Sequence, residues 1–97
     1  MIELVRTLRN PSGLHARPAT VFVQAAAELN AGVKVIDLDG DLTAEVDGKS
    51  ILSMLGLGIP SGHRIRVTVD GPDEAAGSAR LAALIESGLG EGAPEDS

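Results

Sequence analysis

Glycine and proline cut this chain into short segments, which limits it to short strands and short helices. Many of its twelve glycines and five prolines fall between apolar stretches, at Asn10-Pro11-Ser12-Gly13, Asn30-Ala31-Gly32, Asp39-Gly40, Asp47-Gly48 and Asp70-Gly71-Pro72. Proline lacks a backbone donor and glycine accepts positive φ, so these stretches turn the chain rather than extend an element. At 97 residues the chain is one domain. A domain of this size buries only about two thirds of its unfolded surface, so its core has to be continuous. That core is aliphatic, with Phe22 as the only aromatic residue.

Between the turns the apolar periodicity changes from strand-like to helix-like and back. Ile2 to Leu8 alternates loosely, with Ile2, Leu4 and Leu8 on one side. Ala16 to about Leu29 follows a helical period, with Pro18 in the first turn and Ala19, Phe22, Ala26 and Leu29 on one face. Val33–Leu38 and Leu42–Val46 are expected as strands joined through Asp39-Gly40. Ser50 to about Leu57 predicts a short helix capped by Ser50 and kept short by Gly56 and Gly58. Arg64–Val69 is a strand with Ile65, Val67 and Val69 inward, and an acidic turn then starts a helix running to about Ser87, with Leu81, Leu84 and Ile85 as its buried stripe. The order β-α-β-β-α-β-α predicts an α+β, two-layer open-faced sandwich. Each helix has a single apolar stripe, so all three cover one face of an antiparallel sheet and the other face is wet. Residues 1–88 are expected to form the domain, and 89–97 an acidic flexible tail.

Composition excludes several functions. Eight basic against fourteen acidic side chains leave a formal charge of −6, the wrong sign for nucleic-acid phosphates. Tyr and Trp, the usual base-stacking platforms, are absent. No apolar run approaches the ~18 residues that span a bilayer, and Met1-Ile2-Glu3-Leu4-Val5 is not expected to act as a secretory leader. The lack of cysteine excludes disulfides and thiolate metal sites and fits a cytoplasmic protein. No cofactor is expected. Against the acidic background, Arg17 and Lys49 put positive charge beside two candidate sites, His15 and Ser50.

The segment Ser12-Gly13-Leu14-His15-Ala16-Arg17-Pro18-Ala19 sets a histidine immediately before a helix. The first N–H groups of a helix have no internal partner and carry the positive end of its dipole, which favours an anion there. Arg17 adds a guanidinium able to hold two phosphate oxygens. Pro18 fixes the backbone, and Gly13 lets the chain turn so that the ring is presented. An imidazole of ordinary pKa, about 6.5, offers a neutral nitrogen near pH 7. Phosphoryl transfer asks for an aimed nucleophile and positive charge on the equatorial oxygens, and little else. A lone histidine at a helix start is otherwise a cap or a surface residue. His63, the only other histidine, lies in a separate loop with no carboxylate at ligand spacing. No metal site is predicted, and His63 is expected to be exposed and without function.

The octapeptide with Thr20 resembles the active-site signature of HPr, the histidine-containing phosphocarrier family of the bacterial sugar phosphotransferase system. A second stretch, Gly48-Lys49-Ser50-Ile51-Leu52-Ser53-Met54-Leu55-Gly56-Leu57, resembles that family's regulatory-serine helix. The resemblance implies strand order 1-4-2-3 and phosphorylation of His15 at Nδ1 by phosphorylated Enzyme I. It implies onward transfer to IIA units of sugar permeases, so that the chain is a carrier rather than an enzyme. It implies Arg17 as the side chain contacting phosphate, and Ala16 and Arg17 as backbone donors to it. Ser50 would be modified by HPr kinase/phosphorylase in lineages that have it, with a catabolite regulator as a further partner. The stretch Val33–Asp47 is longer than the family pattern, which a longer hairpin explains. Lys49-Ser50-Ile51 matches the motif and Ser53 does not.

A helix this short cannot bury all of Ile51, Leu52, Met54 and Leu55. Ile51, Leu52 and Leu55 are therefore expected to join Thr20, Val21 and Gln24 in a docking patch beside His15, a small apolar area ringed by charge. A monomer is expected. Two other functions remain open at this point. One is a carrier in a regulatory relay, nitrogen-related or serving a dihydroxyacetone kinase. The other is a docking protein whose histidine is never phosphorylated.

Overall fold

The computed structural model describes residues 1–91. Its elements are β1 (Ile2–Thr7), α1 (Ala16–Ala27), β2 (Gly32–Asp37), β3 (Val46–Asp47), α2 (Ile51–Leu57), β4 (Arg64–Asp70) and α3 (Glu74–Glu86). All strand pairs are antiparallel and the sheet order is β1-β4-β2-β3. This is the predicted open-faced sandwich in the predicted strand order.

Register explains the core. Ile2 and Val33 both stand opposite Val69, while Leu4 and Val35 both stand opposite Val67. Side chains alternate between faces along a strand, so these rows present one continuous apolar surface. Phe22, Ala25 and Ala26 of α1, Met54 of α2, and Leu81 and Ile85 of α3 pack in the same buried cluster. The opposite face carries Glu3, Val5, Lys34 and Thr68, half-buried or exposed. Ile36 is the exception: its partner in register is Arg66, which puts it on the wet face, yet it is buried.

The edges of several elements differ from expectation, each for a local reason. The third strand was expected at Leu42–Val46 but is Val46–Asp47. Asp37 Oδ1 accepts from Asp39 N, and Asp41 Oδ1 accepts from Thr43 N and Oγ1. These aspartates offer the backbone local partners in place of a sheet ladder. Leu42 is consequently 61 % exposed. β2 starts at Gly32 and ends at Asp37, one residue earlier at each end than Val33–Leu38. α1 stops at Ala27 rather than Leu29; Lys49 Nζ donates to Leu29 O at 2.7 Å. Lys49 thus serves a backbone carbonyl beyond the C-terminal end of α1, the end remote from His15.

The expected flexible tail does not begin at 89. Gly88 takes φ 91°, Gly88 N donates to Ile85 O, and Leu89 N donates to Leu84 O. That is the Schellman closure of a helix, which seats an apolar residue just past the glycine. Leu89 is accordingly fully buried. The rest of the expected tail, 92–97, lies outside the described residues.

Phe22 is fully buried and is the largest side chain in the core. Phe22→Ala is expected to cost about 3–5 kcal/mol, read from urea unfolding. A loss under about 1 kcal/mol would show that α1 is not anchored through this residue. A second prediction concerns pH. Arg64 Nη2 donates to Asp39 Oδ1 at 2.9 Å and Arg64 N to Asp39 Oδ2 at 2.7 Å. The guanidinium bond first, then the backbone bond, hold the Asp39 carboxyl down at about 2. Its contribution is complete above about pH 4 and is lost as pH falls toward about 2. The Tm gap between wild type and Asp39→Asn is therefore expected to close over that interval. A gap that does not change with pH would contradict the pairing.

Candidate functional site

The loop that delivers His15 is fixed at both ends by fully buried leucines, Leu8 and Leu14. Leu8 N donates to His63 O at 2.9 Å, Gly62 N donates to Leu8 O at 2.7 Å, and Leu14 N donates to Ile59 O at 2.9 Å. Gly13 lies against the same segment with φ 61°; a Cβ there would stand 2.4 Å from Ile59 O and 2.6 Å from the Pro60 carbonyl carbon. Only glycine fits both that angle and that space. Asn10 is buried beneath the loop, and its Nδ2 donates to Gly13 O at 2.7 Å and to Glu91 Oε1 at 3.0 Å.

His15 occupies the N-cap position of α1 in an extended conformation (φ −115°, ψ 154°) but makes no side-chain capping bond. The ring is exposed rather than committed to the helix. It rests beside the end of α2: a Cβ built on Gly58, a left-handed C-cap at φ 59°, would be 3.6 Å from His15 Cε1. The first turn of α1 holds no acidic side chain, so nothing there neutralises the positive helix end. Arg17 is exposed and forms no ion pair among the described residues. Ala16 has φ 49°. A left-handed alanine costs about 1–2 kcal/mol, and such strain collects where a chain must aim a functional group. Exposed imidazole, unneutralised helix terminus and free guanidinium together can receive a dianionic group in the open.

Ser50 is the N-cap of α2, and its Oγ accepts from Ser53 N at 3.3 Å. Of the expected patch, Thr20 and Gln24 are exposed, while Val21 and Ile51 are half-buried. Leu52 is 80 % and Leu55 39 % exposed, whereas Met54 is the buried residue of α2. α1 and α2 pack on each other, which places these residues on neighbouring helices. A surface depression lined by Val5, Arg6, Thr7, Arg9, Ile85 and Glu86 includes none of them.

His63 is not the simple exposed residue expected. It is half-buried, and its Nδ1 lies 3.0 and 3.1 Å from the two carboxylate oxygens of buried Asp37. Asp37 is distant in sequence, so no spacing rule pointed to it. The placement of Asn10, Gly58 and Glu91 around the His15 loop also escaped the sequence reading. Glu91 Oε1 accepts from Asn10 Nδ2 and Ser12 N, and Oε2 accepts from Ser12 Oγ at 2.8 Å. The Asn10 bond, followed by those of Ser12, holds the Glu91 carboxyl below its usual value. One available signal was Ser87-Gly88-Leu89, whose glycine-then-leucine order at a helix end marks a Schellman closure and so an ordered continuation.

Comparison with known proteins places this geometry. The family described as "PTS HPr component phosphorylation site" matches residues 3–87. The phosphocarrier protein HPr of Streptomyces coelicolor is 40 % identical over 79 residues, covering 81 % of this chain and 82 % of that protein. A multiphosphoryl transfer protein of Vibrio cholerae is 38 % identical over 85 residues, covering 88 % of this chain and 21 % of that protein. The chain thus spans only about a fifth of the length of such relatives. The crystal structure of an HPr from Thermoanaerobacter tengcongensis superposes with a TM-score of 0.85 at 35 % identity, covering 94 % of this chain and 98 % of that one. A match that runs from the first strand through the last helix, in sequence and in three dimensions alike, makes this chain a member of the HPr phosphocarrier family.

Proposed function

We propose that this chain accepts a phosphoryl group on Nδ1 of His15 from phosphorylated Enzyme I and passes it to the IIA units of sugar permeases. One observation carries the reading: His15 sits at the cap position of α1 without capping it, at a helix start whose first turn holds no acidic side chain. The bond from phosphorus to the donor breaks as the bond to the ring nitrogen forms, and the reverse pair of events hands the group on. Arg17 and the N–H groups of Ala16 and Arg17 oppose the charge on the equatorial oxygens, which is what a loose phosphoryl transition state needs. The exposure of the site keeps the bound group reachable by the next acceptor. The chain acts as a carrier because its substrates are side chains of other proteins, which meet it through the patch Thr20, Val21, Gln24, Ile51, Leu52 and Leu55. A docking-only protein would have no use for an uncapped ring beside a free guanidinium. The name of the multiphosphoryl transfer proteins supports phosphoryl transfer as the shared chemistry.

Ser50 is the proposed regulatory site. A phosphoryl group there adds close to two negative charges at a helix start, which the helix tolerates, on the surface that an acidic partner would approach.

On incubation with Enzyme I, Mg²⁺ and phosphoenolpyruvate, the intact mass is expected to rise by one acid-labile phosphoryl group, and His15→Ala to take none. Arg17→Ala is expected to slow uptake by about 10²-fold. Uptake by His15→Ala, or none by wild type, would overturn the assignment. Ser50→Asp is expected to slow uptake from the same donor by at least about tenfold, an electrostatic effect that added salt relieves. A rate equal to wild type would remove Ser50 as a switch.

A further inference from the structure

Beyond α3 the chain doubles back toward the loop that carries His15. Gly88, Leu89 and Gly90 take φ values of 91°, 52° and 89°, three left-handed residues in succession. Leu89 N donates to Leu84 O at 2.9 Å, and Glu91 N donates to Gly88 O at 2.9 Å. A Cβ on Gly90 would be 3.6 Å from Val21 Cγ2, so the turn lies against α1. This path brings the Glu91 carboxylate to the base of the loop. There it takes Asn10 Nδ2 and Ser12 N on Oε1, both at 3.0 Å, and Ser12 Oγ on Oε2 at 2.8 Å. Asn10 Nδ2 also holds Gly13 O at 2.7 Å. One carboxylate therefore ties residues 10, 12 and, through Asn10, 13. His15 follows directly, then Ala16 in its strained left-handed conformation.

Strain of that kind persists only where the surroundings over-determine it. Downstream, α1 holds Ala16; upstream, the loop must be held as firmly. Its restraints there include the bond from Leu14 N to Ile59 O, the bond from Gly13 N to Asn10 O at 3.2 Å, the fit of Gly13 against 59–61, and the Glu91 cluster. Bonds to an ionised acceptor are roughly twice as strong as neutral ones. Asn10 spends its amide hydrogens on this cluster, while its Oδ1 is buried without a partner among the described residues. A buried unpaired oxygen is unfavourable, and the donations of Nδ2 hold the side chain in place despite it.

We propose that Glu91 is a positioning residue for phosphoryl transfer: its carboxylate latches Asn10 and Ser12 so that loop 10–14 keeps the His15 ring aimed at the incoming group. This rests on the reading of His15 as the phosphoryl acceptor. Misplacing a nucleophile by about 1 Å costs up to about 10²-fold in rate.

The test uses the full chain with Glu91→Ala and Glu91→Gln. In wild type, ¹⁵N relaxation is expected to give rigid order parameters, about 0.85, through residues 12–15, and in Glu91→Ala values below about 0.6. At saturating carrier, uptake from phosphorylated Enzyme I is expected to fall about tenfold in Glu91→Ala, with the fall in kcat and not in KM. Glu91→Gln keeps an oxygen for Asn10 Nδ2 and Ser12 N, and is expected to recover most of both. A loop that stays rigid in Glu91→Ala overturns the latch, as does a loosened loop with an unchanged kcat. A wild-type chain that takes no phosphoryl group defeats the carrier reading instead. The relaxation data then decide the latch alone: a loosened loop upholds it and a rigid one overturns it.

Discussion

Everything at this site depends on holding a histidine without bonding to it. An imidazole that caps its own helix spends a ring nitrogen on that bond. Here the restraint is moved to other residues. Leu8 and Leu14 are buried, Leu14 N is bonded to Ile59 O, and Gly13 presses against 59–61 where a Cβ would collide. The segment leading into β4 thus acts as a wall for the loop, and the sheet order, with β4 beside β1, sets that wall next to it. The ring is left at the cap position with its nitrogens uncommitted to the helix.

The electrostatics follow the same division. The molecule is acidic overall, at −6, but the first turn of α1 holds no acidic side chain, and several of the described carboxylates are engaged elsewhere. Asp73 accepts from Asn30 N and Ala31 N at the far end of α1, Asp39 pairs with Arg64, and Glu91 serves the loop. The helix terminus at His15 keeps its positive field, and an anion placed there meets no nearby carboxylate of that turn. α2 leaves Leu52 and Leu55 outward because Met54 fills its inner face.

Much of this was legible in the residues. Alternation in Arg64–Val69 and the helical stripe of Phe22 and Ala26 are strong periodic signals, and both elements formed, α1 ending two residues early and β4 one residue late. The octapeptide around His15 was readable because its chemistry is local: histidine, helix start, arginine and proline sit within a few positions. Long-range partnership was not legible. Nothing in the spacing joins Asp37 to His63 or Glu91 to Ser12, since only the fold brings them within 3 Å or so. The third strand was misplaced because Leu42 and Ala44 alternate with polar residues while Asp37 and Asp41 compete for the same backbone donors. The start of the tail was set too early because glycine and acidic residues resemble a frayed end, although Gly88-Leu89 is a helix-closing pair.

The most direct measurement is an NMR comparison of the free and phosphorylated chain, following the ring nitrogens of His15 and the backbone amides of α1. The account predicts phosphorus coupled to Nδ1, with the largest amide shifts at Ala16 and Arg17, the donors at the helix terminus. Phosphorus on Nε2, or amide shifts that pass over the start of α1, would contradict it.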